Sequence, residues 1–288
     1  MSKIMYMEKL VEICKKYNIN PVNKDIICDA TGIGDILMRL LCIKNNLINK
    51  NFHINLNYFI KPYYCMDPIN MFEFRIQLIL DILKYNNIPR EVFIFTFSNN
   101  YGLNQKLPYE RIQDYNLIFG DTNENIEKDE YIIFHTKCRH SRSENYSLLK
   151  ENTKQFCSSN KSKYKIIILG ERIFPHTEEV DAHGITTVYN ELLQLKNNND
   201  IIDKSIENIY SNLDYNNYKN DIKLIQNAKY NVCFGLGGQL CTSVIFGKST
   251  IVYCKINDWL NTDNFKKNNF YFTNITDFFN LIKEKCFI

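Results

Sequence analysis

The chain has 288 residues, 45% of them hydrophobic and 23% charged, enough apolar material for one large or two medium domains, which excludes a disordered chain. Its 35 basic and 32 acidic residues leave a net charge of +3, which gives no basis for the clustered basic surface of a nucleic-acid binder. Ten cysteines contain no C-x-x-C pair and lie mostly in apolar runs, so they read as buried thiols of a reducing, cytoplasmic compartment.

The N-terminal stretch MSKIMYMEKLVEICKK intersperses Lys3, Glu8, Lys9 and Glu12 among apolar residues, a pattern for an amphipathic helix rather than a signal peptide. Asp25 to Ala30 then reads as a short strand that runs into Thr31-Gly32-Ile33-Gly34-Asp35 and a helix with apolar positions Ile36, Leu40, Ile43 and Leu47. Phe52 to Ile60 alternates as a second strand. Asp67-Pro68 supplies an N-cap and a first helical residue for a stripe of Phe72, Ile76, Ile79 and Leu83, and Val92 to Phe95 is a third strand. Between Ser98 and Glu130 the periodicity weakens, apart from a short strand near Leu117 to Phe119. A domain boundary is placed there, giving lobes of residues 1–127 and 128–288.

The second half alternates strands and helices. Strands are predicted at Tyr131 to His135, Tyr164 to Gly170, Tyr230 to Phe234 and Thr250 to Tyr253. Helices are predicted near Tyr146 to Phe156, Tyr189 to Lys196, Ile222 to Ala228, Gln239 to Phe246 and Asp277 to Lys285. This order predicts an α/β fold of parallel sheets in two Rossmann-like lobes, with ligands at the carboxyl ends of the strands. The uncharged run Tyr230 to Gly247 contains Asn231, Gln239 and four glycines, so it reads as strand, loop and helix and not as a membrane span. The abundant asparagine and the sequons at Asn145 and Asn274 carry no functional assignment.

Three sets of residues carry candidate chemistry. In Gly32-Ile33-Gly34-Asp35 the glycines permit positive φ or close backbone approach, the helix amides favour an anion, and Asp35 stands where a carboxylate can take a proton from a hydroxyl; a tight turn with Asp35 as a helix cap is the alternative. In Gly235-Leu236-Gly237-Gly238-Gln239, followed by Thr242 and Ser243, amides and a hydroxyl at a helix start suit a diphosphate; close packing of a glycine loop is the alternative. After the strands of the second half come His135, Lys137, Arg139 and Arg142, then Glu171 and Arg172, which suit neutralisation of a leaving diphosphate and contact with ribose, or else are solvated loop charges. His135, Cys138 and His140 match no zinc spacing, and no D-x-D triplet occurs, so no metal is expected.

With both glycine turns in place, the chain resembles the GT-B glycosyltransferases of the heptosyltransferase type, glycosyltransferase family 9. Gly32-Ile33-Gly34-Asp35-Ile36-Leu37 matches that family's G-x-G-D-[VI]-L segment, and Gly238 through Ser249 lies over its late [ST]-G-x-x-H-x-[AT]-A-x-x-G-x-P block with Gly238 and Gly247 in register. Lys137 and the run Leu169-Gly170-Glu171 fall in the family's order, whereas Cys241 stands where it has histidine and Ser249 where it has proline. The resemblance implies a metal-independent inverting transfer from a nucleotide-diphosphate sugar, which is a substrate and not a cofactor, to a carbohydrate or glycolipid acceptor. Asp35 is then the base, Gly32 and Gly34 lie on the acceptor side, and Lys137, Arg139, Glu171, Gly237, Gly238, Gln239, Thr242 and Ser243 hold the donor. It also allows the last helix to pack back on the first lobe. Rival readings are a nucleotide-sugar 2-epimerase, for which Asp35, Glu171, Glu178, Glu179 and His183 would supply the acid and base groups, and a non-catalytic nucleotide-sugar-binding protein.

Overall fold

The computed structural model describes residues 3–23, 32–48, 52–55, 68–97, 108–120, 130–139, 146–173, 185–207, 214–254 and 258–288. They form two compact units, Met1–Gly120 with Leu213–Asn216, and Asp121–Asn212 with Asn217–Ile288. Both are α/β, each built on a parallel sheet.

Unit 1 contains α1 (Lys3–Lys16), β1 (Val22–Asn23), α2 (Ile33–Lys44), β2 (Phe52–Asn55), α3 (Pro68–Tyr85) and β3 (Phe93–Phe97). Its strands order as β1-β3-β2, with Val22 opposite Thr96 and Phe52 opposite Phe93. The predicted strand Asp25 to Ala30, Thr31 and the capping Asp67 lie outside the described residues. The α3 stripe of Phe72, Ile76, Ile79 and Leu83 is buried as the spacing predicts. α2 is apolar on more sides than its predicted stripe, with Ile36 through Cys42 all buried, while Ile43 is only half-buried.

Asparagine, unassigned by composition, terminates all three of these helices in the same way. Asn18, Asn46 and Asn87 have φ of 51°, 54° and 53°, the left-handed region that asparagine tolerates better than other residues with a side chain. The residue after each, Ile19, Leu47 and Ile88, donates its N–H to the carbonyl five residues back, on Cys14, Cys42 and Leu83. That is the 6→1 bond of a Schellman stop. Asn46→Gly should therefore leave the urea midpoint unchanged or raised, and Asn46→Val should lower stability by about 1–2 kcal/mol. Equal midpoints for the two variants would show that the left-handed turn imposes no demand.

The residues just before two of these stops hold the segment read as a strand near Leu117. Asn45 Oδ1 accepts from the N–H of Gln113 and of Asp114, and its Nδ2 donates to Asp114 O. Asn86 does the same around Ile118, accepting from its N–H and donating to its carbonyl at 2.8 Å. Tyr115, Leu117 and Phe119 alternate inward, but the backbone partners are side-chain amides, so the segment is extended without being a strand. Tyr215 belongs to this unit as well. Its hydroxyl donates to Asp81 Oδ2 at 2.6 Å and its ring meets Phe74 edge-on.

Unit 2 contains β4 (Tyr131–His135), β5 (Lys137–Arg139), α4 (Tyr146–Ser159), β6 (Lys165–Leu169), β7 (Ile185–Thr187), α5 (Tyr189–Leu192) and β8 (Ile201–Asp203). These are followed by α6 (Tyr215–Asn227, its first two residues grouping with unit 1), β9 (Tyr230–Cys233), α7 (Gly238–Phe246), β10 (Thr250–Tyr253), α8 (Asp263–Lys266), β11 (Phe270–Phe272) and α9 (Ile275–Cys286). Six strands form one parallel sheet in the order β8-β6-β4-β9-β10-β11; numbered within the unit this is 3-2-1-4-5-6, a doubly wound order. β5 and β7 form a separate antiparallel pair.

Strands covered on both faces read as continuous apolar runs, which is why β4, β6 and β10 were visible in the sequence. On one face Phe134, Phe234, Ile166 and Ile168 pack with Phe156 of α4 and with Phe278, Phe279 and Ile282 of α9. The Phe156 and Phe279 rings stack at 4.8 Å. The last helix thus contributes to the core of unit 2. Asn274, read as a chance sequon, is its N-cap and accepts from Thr276 N and Asp277 N. No described helix is long and apolar enough to cross a membrane.

Candidate functional site

The strand order of unit 2 reverses between β4 and β9, so the loops leaving these two strands diverge above and below the sheet. In open α/β sheets the crevice at such a switch point is where ligands bind. The loop after β9 is the glycine run. Gly235 and Gly237 take φ of 155° and 123°, conformations that residues with a β-carbon rarely adopt, and Gly237 is the N-cap of α7. No side chain caps that end, so the first-turn amides of α7 are left to other acceptors.

Three loops meet at this edge. Thr136, after β4, donates its hydroxyl to Glu171 O at 2.7 Å, and Lys137 Nζ pairs with Glu171 Oε2 at 2.9 Å. Gln239, in the first turn of α7, accepts the Lys137 N–H at its Oε1. Its amide lies against Gly170, where φ is 114° and an added β-carbon would stand 2.2 Å from Gln239 Nε2 and 2.5 Å from Thr136 Oγ1. Only glycine fits there. Lys137, Glu171, Gly237, Gly238 and Gln239, singled out separately from the sequence, are therefore gathered at the carboxyl ends of β4, β6 and β9. The side chain of Arg139, and Arg142 entirely, lie outside the described residues, as do Glu178, Glu179 and His183.

Thr242 and Ser243 are spent elsewhere. Thr242 donates to Gly238 O at 2.7 Å and shares a 3.1 Å hydrogen bond with the Tyr218 hydroxyl of α6. Ser243 is fully buried beneath α7, its Oγ 2.8 Å from His135 Nε2 and 3.6 Å from Cys233 Sγ. Neither hydroxyl faces a ligand at the helix start, a correction to the sequence assignment. Helical geometry explains it: residues five and six of a helix lie more than one turn below its amino end.

His135 is likewise no cation for a diphosphate. Burial lowers its pKa to about 4, and the neighbouring Asn231 side chain offsets this only in part, so the ring is neutral at pH 7. Neither His135 Nδ1 nor Asn231 Oδ1 makes a hydrogen bond of ordinary geometry. The order Asn231, His135, Ser243 resembles a nucleophilic triad, yet Ser243 is 0% exposed and no substrate can reach it. Strand alternation puts His135, Asn231 and Cys233 on one face, and no local spacing marks that α7 covers it. Gly247, in register with the family block, is needed for space, because a β-carbon would stand 2.4 Å from Ser243 O and 2.6 Å from Asn231 Nδ2.

Farther along the edge, Arg172 Nε donates to Ser205 Oγ, its NH2 group donates to Ser205 O, and the guanidinium lies over the Tyr189 ring. Asp203 accepts from the hydroxyls of Tyr189 and Ser205. Burial opposes its ionisation, but these bonds and Arg172 outweigh that and hold its pKa below the usual carboxylate value. Arg172 is thus engaged in a network joining β6 to β8.

In unit 1 the first motif is less strained than predicted. Gly32 is the N-cap of α2 with φ −64° and ψ 147°, and Gly34 is already helical, so neither needs positive φ. What Gly32 supplies is room, since a β-carbon would stand 2.8 Å from Asp35 Oδ2. Asp35 is exposed in the first turn, its carboxylate folded back toward the helix start where the dipole favours negative charge. The described cysteines, Cys14, Cys42, Cys138, Cys157, Cys233, Cys241, Cys254 and Cys286, are all buried free thiols, as their apolar settings implied; Cys28 and Cys65 lie outside the described residues.

Comparison of the chain with protein-family models, with curated proteins and with solved structures finds no match.

Proposed function

We propose that the protein is a metal-independent inverting glycosyltransferase of GT-B type that takes a sugar from a nucleotide-diphosphate donor bound by unit 2. The observation that carries the reading is the uncapped glycine loop before α7, at the point where the order of a doubly wound sheet reverses. Amides at a helix start bind a diphosphate and stabilise it further as it departs, when its charge grows. Lys137 and Glu171 lie beside that loop as an ion pair, and the ammonium, the more exposed partner, can also turn to a phosphate oxygen. The resemblance supplies the other half, with Asp35 removing the proton of the acceptor hydroxyl and Gly32 keeping the space its carboxylate occupies.

The test has two parts. A thermal-shift screen against uridine, guanosine, adenosine and thymidine diphosphates and their sugar conjugates should find one base that raises Tm, since ligand at 100 times its Kd adds about 2.7 kcal/mol. With that donor and a carbohydrate acceptor, Asp35→Asn should lower transfer by about 10²-fold or more and leave donor affinity unchanged. No shift with any nucleotide would defeat the reading. A shift without transfer would leave a nucleotide-sugar-binding protein, and conversion of the donor without an acceptor would make the protein an epimerase.

A further inference from the structure

Cys233 and Asn231 of β9, His135 of β4 and Ser243 of α7 meet beneath that helix, none more than 2% exposed. Their contacts fix where the hydrogens lie. A backbone carbonyl only accepts, so the Asn231 atom 3.2 Å from Ile225 O is the amide nitrogen, which leaves Oδ1 as an acceptor. This Oδ1 and His135 Nδ1 both lack a hydrogen bond of ordinary geometry among the described residues, and Asn231 favours the protonated ring, as an oxygen close to a ring nitrogen does. Two buried acceptors turned to each other would each lose a partner, so the neutral ring carries its proton on Nδ1. Nε2 is then the acceptor in the 2.8 Å contact with Ser243, whose hydroxyl donates to it and accepts from the Cys233 thiol at 3.6 Å.

We infer that Ser243, His135 and Asn231 are a directional lock that seats α7 on the sheet, every donor pointing one way, from the Cys233 thiol to the Ile225 carbonyl of α6. The carbonyl at the end cannot donate, so the order cannot reverse. One imidazole thereby joins β4, β9, α6 and α7, and the lock needs no ligand and no part of the proposed activity. Gly247 holds the carboxyl end of α7 against the same amide, since a β-carbon there would stand 2.4 Å from Ser243 O and 2.6 Å from Asn231 Nδ2. Because α7 starts after Gly237, the lock also fixes where the glycine loop ends. A chain of this kind is cooperative: each link polarises the next, and a break at any member releases the others.

The experiment combines two-bond proton–nitrogen correlation of the histidine rings at pH 7 with amide exchange in wild type, Ser243→Ala, Asn231→Leu and the double variant. In wild type His135 should show a protonated Nδ1 and a bare Nε2; the reverse tautomer overturns the inference, and this reading depends on no variant folding. Asn231→Leu should abolish the preference for Nδ1, and a ring that keeps it would show that Asn231 does not set the order. Ser243→Ala should speed exchange at Val244 and Ile245 of α7 roughly tenfold or more and leave Ile282 of α9, on the other face of the sheet, as in wild type. Members of one chain fail together, so the double variant should exchange no faster at these α7 amides than the faster single variant. Effects that multiply would show separate packing contacts in place of a lock.

Discussion

Asp221→Asn is expected to stabilise the protein, by about 2–3 kcal/mol more at pH 8 than at pH 5. Asp221 lies on α6, one turn after Tyr218, largely withdrawn from water, and among the described residues the charge that favours its ionised form is Lys204 beyond β8. Burial dominates and raises its pKa from 3.8 to about 7. The sign follows from which state holds the proton. The folded chain keeps it over a range where the unfolded chain has lost it, so the stability Asp221 contributes is complete below pH 3.8 and is lost as the pH rises to about 7. His135 works in the opposite sense. Its pKa falls from 6.5 to about 4, so its contribution is present above pH 6.5 and is lost as the pH drops through 4. The two windows overlap, and their slopes oppose each other between pH 4 and 6.5. Wild type should show a nearly flat contribution from this pair, and Asp221→Asn should expose the histidine slope. Urea midpoints from pH 4 to 8 check this; a stability difference independent of pH would show that the Asp221 carboxyl is as well solvated in the fold as out of it.

Legibility in the sequence followed length and burial. The runs Tyr131–His135, Lys165–Leu169 and Thr250–Tyr253 are long enough and apolar enough to read as interior strands, and each is a strand of the parallel sheet. β8 and β11 have three residues each and pair on one side only, so Ile201-Ile202 after an Asn-rich stretch reads as loop. The same limit hid the antiparallel β5 and β7 pair, whose register is set by the crossing of two loops and by no local period. The asparagines were opaque for another reason. Composition counts them, but Asn18, Asn46 and Asn87 matter through φ, and Asn45 and Asn86 through partners about seventy and thirty residues away. At the candidate site the glycines were legible because φ above zero selects their residue type, and Lys137, Glu171 and Gln239 because they border the strand ends. Their mutual contacts were not, since separations of 34 to 102 residues leave no trace in local spacing. Ser243 misled because nothing in its neighbours tells which side of α7 faces His135.

Lys137→Met should be the more damaging half of a paired experiment on the ion pair at the switch point. The Glu171 side chain is 5% exposed and that of Lys137 23%, so the two charges are unequally able to return to water. Removing the ammonium takes its Lys137 ion-pair partner from a carboxylate held in the interior, which costs about 3–5 kcal/mol for a fully buried pair and about 2–4 kcal/mol here, after discounting for the solvent that reaches Lys137. Removing the carboxylate by Glu171→Gln instead takes one partner from an ammonium on a flexible stem that can swing outward, and the cost should be about 1–2 kcal/mol. The double variant Lys137→Met/Glu171→Gln should recover most of the loss and lie close to Glu171→Gln alone, because the buried negative charge has gone. Unfolding of the four proteins in urea at pH 7.5, followed by hydrogen exchange at Thr136 and Lys137 so that unit 2 is read directly, gives the cycle. Equal losses in the two single variants would show that burial does not divide the pair in this way. A double variant as unstable as Lys137→Met would instead locate the damage in the packing of the lysine stem against the loops after β4 and β6, with the charge of Glu171 playing no part.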